Sequence, residues 1–553
     1  MIFIRSTHLR RGALAAISLA GLACATTSGQ STSATSEGPR TRAERTNYLE
    51  TSHYTDVIAF LDSLKGRPEL EFGSIGTTNE GRAIPYVIAS RPRVTTPAEA
   101  AALSRPVIYI QGNIHAGEVE GKEALLAMLR DLTSSPRRNV LDSVVLIAVP
   151  IYNADGNEKF ARQEVNRGSQ NGPEMVGVRT NAQSLDLNRD YMKVEAPETR
   201  ASLSMFNKWN PDVFVDLHTT NGSYHGYALT YAPPLNPSAP LGVFTRDSVV
   251  TVLRSRMQSR HRFPTFDYGD FISDDTLSQG WVTFDSRPRF GTNYYGLRGK
   301  ISILSEAYSH DPFERRVKST YAFVQEILSL AAERRLTVSE SSGMKALEKW
   351  LASMSVPRSI PIRSEMVAAP SPLDVVAEVM ERTDDSTRTE PGVPKGRRRT
   401  GRFIKVKMPV FDRFKPTLLA PVPDRYVLRA ADTAAVRVLR YHGITVTEAG
   451  NTFAGAAAVG NGYVFMIDST VVAQRPFQGH REMRLTGKWR GETRRIENGS
   501  FVVETSQPLG LLAVYLLEPQ SDDGLVAWNY FDSALRPGGL YPVFKVGGAP
   551  PVP

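Results

Sequence analysis

"PVIYIQGNIHAGEVEGKEALLAML" runs from Pro106 to Leu129. Its first seven residues form a Val- and Ile-rich apolar run, the pattern of a strand buried on both faces. From Gly121 onward, apolar residues recur at three- and four-residue spacing, which predicts a helix. His115 and Glu118 sit between the two, where burying polar side chains is costly unless something binds them. A histidine and a glutamate three residues apart can converge from a turn onto one ion. Zinc accepts imidazole nitrogen and carboxylate oxygen at about 2.0 to 2.2 Å.

The same alternation extends outward on both sides. Strands are expected at "PYVIAS", "SVVLIAVPI", "DVFVDLH" and "ISILSE", and a further helix at "YAFVQEILSLAAERR". Apolar strands alternating with helices predict an α/β fold, a mixed central sheet flanked by helices. His218 ends "DVFVDLH" and Glu306 ends "ISILSE", at the strand edge where open α/β sheets place their ligands. Three ligands, His115, Glu118 and His218, leave zinc one open position, as in a catalytic site. By itself an H-x-x-E motif more often marks a hydrogen-bonded histidine beside a surface glutamate.

The segment "GVRTNAQSLDLNRDY" adds Arg179, Asp186, Asn188 and Arg189. A fixed cation beside a hydrated metal and a nearby base suits hydrolysis of a polarised carbonyl. A further Arg and Asn suit an anionic substrate end. With these residues in place the sequence resembles the zinc carboxypeptidases of the carboxypeptidase A and B type. That family has an H-x-x-E after a strand, an N-R pair behind an aspartate, a later strand-end histidine and a much later glutamate, in this order. The resemblance covers roughly Tyr48 to Arg335 and includes "SIGTTNEGRAIPYVIA" and the turn in "PIYNADGNE".

The resemblance implies one zinc per chain on His115, Glu118 and His218, with Asp186 fixing a ligand imidazole through a hydrogen bond. It implies Glu306 as the general base toward zinc-activated water, Arg179 as the stabiliser of the developing oxyanion, and Asn188 and Arg189 as the grip on a free C-terminal carboxylate. The expected activity is metallocarboxypeptidase hydrolysis of peptides or proteins. Two other readings stand beside it: an amidase of cell-wall peptides or acyl-amino acids on the same scaffold, and a catalytically weak surface-binding protein. No G-x-S-x-G elbow or H-E-x-x-H motif is present, which removes serine-hydrolase and zincin readings. The family's tyrosine about twenty residues before the glutamate falls here near Phe284, leaving Tyr294 and Tyr295 as candidates to close the site. Asp285, Arg287 and Arg289 are candidates to set the specificity pocket's charge. His225, His261 and His310 read as ordinary polar residues.

Basic residues up to Arg11, the apolar "GALAAISLAGLA" and small residues around Cys24 read as an export signal over residues 1–25. Cys24, the only cysteine, is a candidate site for a lipid anchor, so the expected location is periplasmic or extracellular, either as a freely secreted chain or as a membrane-anchored lipoprotein. A polar tether is expected over residues 26–46, the zinc carboxypeptidase-like domain over 47–340, a helix ("SGMKALEKWLASM") and extended linker over 341–415, and a β-rich C-terminal domain over 416–553. In that last domain Asn498-Gly499 signals a hairpin and "DTAAVRVLRYHG" a helix. The net charge of +9 includes the run "KGRRRTGR" (Lys395–Arg402). No aromatic residues interleave with that run, so it reads as solvated linker and no nucleic-acid partner is expected. Oligomeric state is not legible.

Overall fold

The computed structural model describes residues 38–273, 276–334, 336, 358–384, 393, 396–450 and 459–548. The expected signal at residues 1–25, Cys24 and the helix expected at 342–354 lie outside them.

Eight strands form the central sheet: β1 (Leu70–Thr77), β2 (Ala83–Ala89), β3 (Val107–Gly112), β4 (Val145–Val149), β5 (Val213–Thr219), β6 (Leu229–Ala232), β7 (Thr265–Asp267) and β8 (Ile301–Ala307). Their spatial order is β1-β2-β4-β3-β5-β8-β6-β7. The middle four, β4, β3, β5 and β8, are mutually parallel, and antiparallel pairs flank them. Every residue of these four strands is buried, which explains their unbroken apolar runs. Parallel alignment brings the C-terminal ends of β3, β5 and β8 to one edge of the sheet. That edge carries His115, Glu118, His218 and Glu306.

One face of the sheet is covered by helices Tyr54–Ser63, Glu120–Leu132, Val250–His261 and Phe313–Ala332. Glu120–Leu132 is buried on its polar side as well, because the segment before β1 lies across it. Glu123 accepts hydrogen bonds from Thr51 and Ser52, and Arg130 pairs with Glu44 at 2.6 Å. The end of the expected tether is therefore structured: Arg42–Arg45 is a short helix capped by Thr41.

The expected linker is largely strand. Ser359–Val367 pairs with Arg413–Pro421, and Leu373–Arg382 pairs with Arg397–Met408. The basic run enters the second ribbon, where Arg398 pairs with Glu381 and Arg399 with Glu378 across the strands. Prolines and charge suggested solvated chain, but a two-stranded ribbon exposed on one face tolerates both.

The C-terminal region is β-rich, as expected. Its six-stranded sheet runs Thr447–Glu448, Phe501–Glu504, Arg425–Leu428, Phe544–Val546, Val459–Val472, Met483–Arg495. The helix Thr433–Tyr441 ends, as expected, at Gly443, whose φ is +86°. Asn498-Gly499 does turn the chain, yet its flanking strands do not pair. Met483–Arg495 forms one edge of the sheet, while Phe501–Glu504 pairs with Arg425–Leu428 and Thr447–Glu448. Local turn chemistry predicted the turn but not the strands' partners, which tertiary packing decides.

One continuous core joins both regions. Phe206, Phe214 and Tyr295 from the central sheet side share a cluster with Tyr426, Leu439, Leu512, Leu516 and Trp528. Because neither region can bury that face alone, calorimetry should record one cooperative unfolding transition. Two separated transitions would show independent domains.

Candidate active site

The turn after β3 is built to aim two side chains at one point. Asn113 takes a left-handed conformation at φ +64° and ties the turn by donating to the Ala116 and Glu118 carbonyls. Gly117 must be glycine: a Cβ there would lie 2.6 Å from the Arg167 side chain and 2.9 Å from the Gly177 carbonyl. His115 Nδ1 lies 3.0 Å from Glu118 Oε1, His218 Nδ1 2.9 Å from Glu118 Oε2, and the two Nδ1 atoms 3.2 Å apart. Bonds of about 2.0 to 2.1 Å to a tetrahedral zinc imply ligand separations of roughly 3.3 Å, so the spacing fits.

The surroundings of the three side chains suit a cation. His115 Nε2 is 3.0 Å from Asp186 Oδ1, and His218 Nε2 is 3.0 Å from Asp216 Oδ2. His115 Nε2 is thus hydrogen-bonded to Asp186 and His218 Nε2 lies at ion-pair distance from Asp216, which leaves both Nδ1 atoms and the Glu118 carboxylate facing one another. The Arg167 and Arg179 guanidiniums balance Glu118 from one side, and a cation among the three acceptors would be held from the other. Burial opposes protonation of His218, but Asp216 and Glu118 outweigh it and raise its pKa. Among the described residues, His115, Glu118 and His218 are the group placed to hold a metal.

Glu306 lies beside this trio because β8 and β5 pair in parallel with Glu306 opposite His218. Burial pushes its carboxyl up to about 8. His218 opposes the shift, Glu118 adds to it, and Arg167 and Arg179 oppose it. Arg179 Nε donates to Asp186 Oδ2 at 2.9 Å, and its Nη1 sits 3.4 Å from Glu118 Oε1. Asn188 accepts from the Gly291 amide at 2.9 Å. The Arg189 guanidinium stacks 4.0 Å over Phe290 and donates to the Asn188 carbonyl at 2.8 Å. Among the described residues no carboxylate lies within ion-pair distance of Arg189. His115, Glu118, His218, Glu306, Arg179, Asn188 and Arg189 line one cavity of about 130 Å³, together with Thr219, Asn221, Tyr268, Phe284, Phe290, Thr292 and Leu304.

The two candidate tyrosines are not in the cavity. Tyr294 and Tyr295 are fully buried, packed with tilted rings against Tyr191, Phe206 and Phe214. Tyr268 lines the cavity instead: its hydroxyl accepts from Asn221 at 3.0 Å, and its proton is held tightly by burial and by the nearby Glu306 charge. It arrives from the loop after β7, so sequence distance from Glu306 could not find it. The three charged candidates for the pocket are also elsewhere. Asp285 pairs with Arg287, and Arg289 is buried between Asp523 and Glu482 of the C-terminal region. His225 is buried against Tyr308, His261 pairs with Glu326, and His310 donates to the Gly222 carbonyl, all in structural roles. Nothing in the sequence pattern marks Arg167, which donates to Glu118 Oε1 at 3.1 Å and to the Thr219 and Thr220 carbonyls. Asp216 was legible in principle, two residues before His218 on the same face of a strand.

A family model described as zinc carboxypeptidase matches residues 57–274. Carboxypeptidase 2 of Trichophyton tonsurans is 21% identical over 94% of this chain and 87% of its own. Carboxypeptidase D of Mus musculus is 26% identical over 47% of this chain and 20% of its own. Among solved structures, a metallo-carboxypeptidase from Burkholderia cenocepacia aligns over 52% of this chain and 70% of its own, at 19% identity and a TM-score of 0.38. Glu306 and the C-terminal region lie beyond the family match.

Proposed function

We propose that the chain, whose residues 57–274 match the zinc carboxypeptidase family model, is a zinc metallopeptidase that removes C-terminal residues from peptides with a free carboxylate. The observation that carries this reading is Arg189. A partly buried guanidinium without a carboxylate partner, in the same cavity as the His-Glu-His trio and Glu306, is a receptor for an anionic substrate end.

His115, Glu118 and His218 would hold zinc, which when bound polarises the scissile carbonyl and acidifies water. Glu306 takes up a proton at its carboxylate and returns it to the departing amine. Arg179, kept charged by Asp186 and Glu118, offers its guanidinium to the carbonyl oxygen as negative charge develops there. Tyr268, protonated, has a hydroxyl to donate into the cavity. About one zinc per chain is expected by metal analysis, with activity abolished by a strong chelator and restored by zinc. A metal-free, fully active preparation would defeat the reading. The export signal read at residues 1–25 would bring the enzyme to peptides outside the cytoplasm; among the described residues no helix is long and apolar enough to cross a membrane.

The remaining cavity wall points to an uncharged terminal side chain. Phe284, Phe290 and Leu304 are apolar, Thr292 is neutral, and the charged neighbours are neutralised outside the lining. Burying a Leu- or Phe-sized side chain is worth about 1.5 to 3 kcal/mol. Peptides ending in Phe or Leu should therefore be cleaved roughly tenfold to a hundredfold faster than matched peptides ending in Lys or Asp. Comparable kcat/KM values across that panel would remove the apolar assignment.

A further inference from the structure

The segment that carries Asp186, Asn188 and Arg189 is held from outside the family-matched domain. Strands Val459–Val472 and Met483–Arg495 form a long antiparallel hairpin whose connecting segment reaches this segment. At its tip the Phe477 amide donates to the His480 carbonyl at 2.7 Å and the His480 amide to the Phe477 carbonyl at 3.0 Å. The two residues between them, Gln478 and Gly479, have φ of +50° and +82°, the signature of a tight turn with both central residues left-handed. Such turns favour Asn, Asp or Gly at the first central position. A glutamine there is conformationally disfavoured, which makes its side chain the feature to explain.

That side chain meets the metal site at one remove. Gln478 Oε1 accepts the backbone N–H of Asp186 at 2.9 Å. The Asp186 carboxylate holds His115 Nε2 through Oδ1 and Arg179 Nε through Oδ2. The neighbouring residues are pinned by the same region: His480 Nε2 donates to Glu195 at 2.9 Å, Tyr530 to the Lys193 carbonyl at 2.8 Å, and His442 Nε2 to the Met192 carbonyl at 3.2 Å. Val194 in that segment sits at φ +56°, a conformation a β-branched residue keeps only when its surroundings impose it.

We infer that Gln478 is a positioning residue for the metal ligand His115, so that the C-terminal region is part of the catalytic apparatus and not a passive support. The inference rests on the reading of His115, Glu118 and His218 as zinc ligands. Partners of this kind, hydrogen-bonded behind a ligand, typically change metal affinity by about 10- to 100-fold. Gln478 acts one bond further out, so an effect of roughly 3- to 10-fold is expected.

Gln478→Gly separates positioning from folding, because glycine is at ease at φ +50°. Q478G should keep or raise the thermal midpoint of the zinc-free chain while binding zinc about 3- to 10-fold more weakly in chelator competition, with a parallel fall in kcat. Gln478→Glu, which keeps an acceptor at the same reach, should bind zinc more tightly than Gln478→Met, which has the length without the acceptor. A wild-type chain that binds zinc, with Q478G binding it equally tightly, would overturn the role of the hairpin and leave the site reading intact. A wild-type chain that binds no zinc would overturn both.

Discussion

Glu306→Gln is expected to keep its zinc and lose turnover by about a hundredfold or more, the usual contribution of a positioned general base. Glutamine preserves the shape of the side chain but cannot take up the proton. The strand register that sets Glu306 opposite His218 is unchanged by the substitution, so the metal trio should stay intact. His115→Ala should instead lose the metal, since it removes one of three ligands and leaves Asp186 without its imidazole. The pH dependence follows from the same carboxyl. Burial raises it from 4.5 to about 8, and a bound dication favours the charged carboxylate and pulls it back down. The base works only when ionised, so kcat/KM should fall as pH drops through its pKa, with the acid limb above 4.5 and below about 8. Near-normal turnover by zinc-loaded E306Q would show that another group takes the proton.

Legibility in the sequence followed the length scale of the interaction that fixes each residue. β3, β5 and β8 are buried on both faces, so composition alone located them, and their parallel order then dictated that His115, His218 and Glu306 share an edge. Arg179, Asp186 and Asn188 were legible because they lie in one short segment whose hydrogen bonds are mostly local. Tyr268, Arg167 and Gln478 were not, since each reaches the site from a loop whose path depends on distant packing. Gln478 contacts a residue 292 positions away, and no periodicity reports on such a pair. The same reason misplaced Arg289. It looked like a pocket charge from its neighbours in sequence, but its partners Glu482 and Asp523 lie in a region that only the fold brings near.

Amidation of a peptide's C-terminus should cost between tens- and thousands-fold in kcat/KM. Arg189 stands in the cavity with Phe290 under its guanidinium and the Asn188 backbone carbonyl accepting its hydrogen bond. Burial already disfavours its charge, which Asp186 supports and Arg179 opposes. A substrate carboxylate supplies the missing counter-charge, and an amide does not. Leaving a desolvated guanidinium unpaired costs about 2 to 5 kcal/mol, which sets the expected range. Arg179 already has its charge balanced by Asp186 and Glu118, so it lacks the unmet need for a counter-charge that Arg189 has. Arg189→Met should therefore reduce cleavage of the free acid by a similar factor while adding little to the loss already seen on the amide, since both changes delete one interaction and their effects should not add. Comparable cleavage of acid and amide by the unmutated enzyme would reject the exopeptidase reading, and additive losses in R189M would place the carboxylate's partner elsewhere in the cavity.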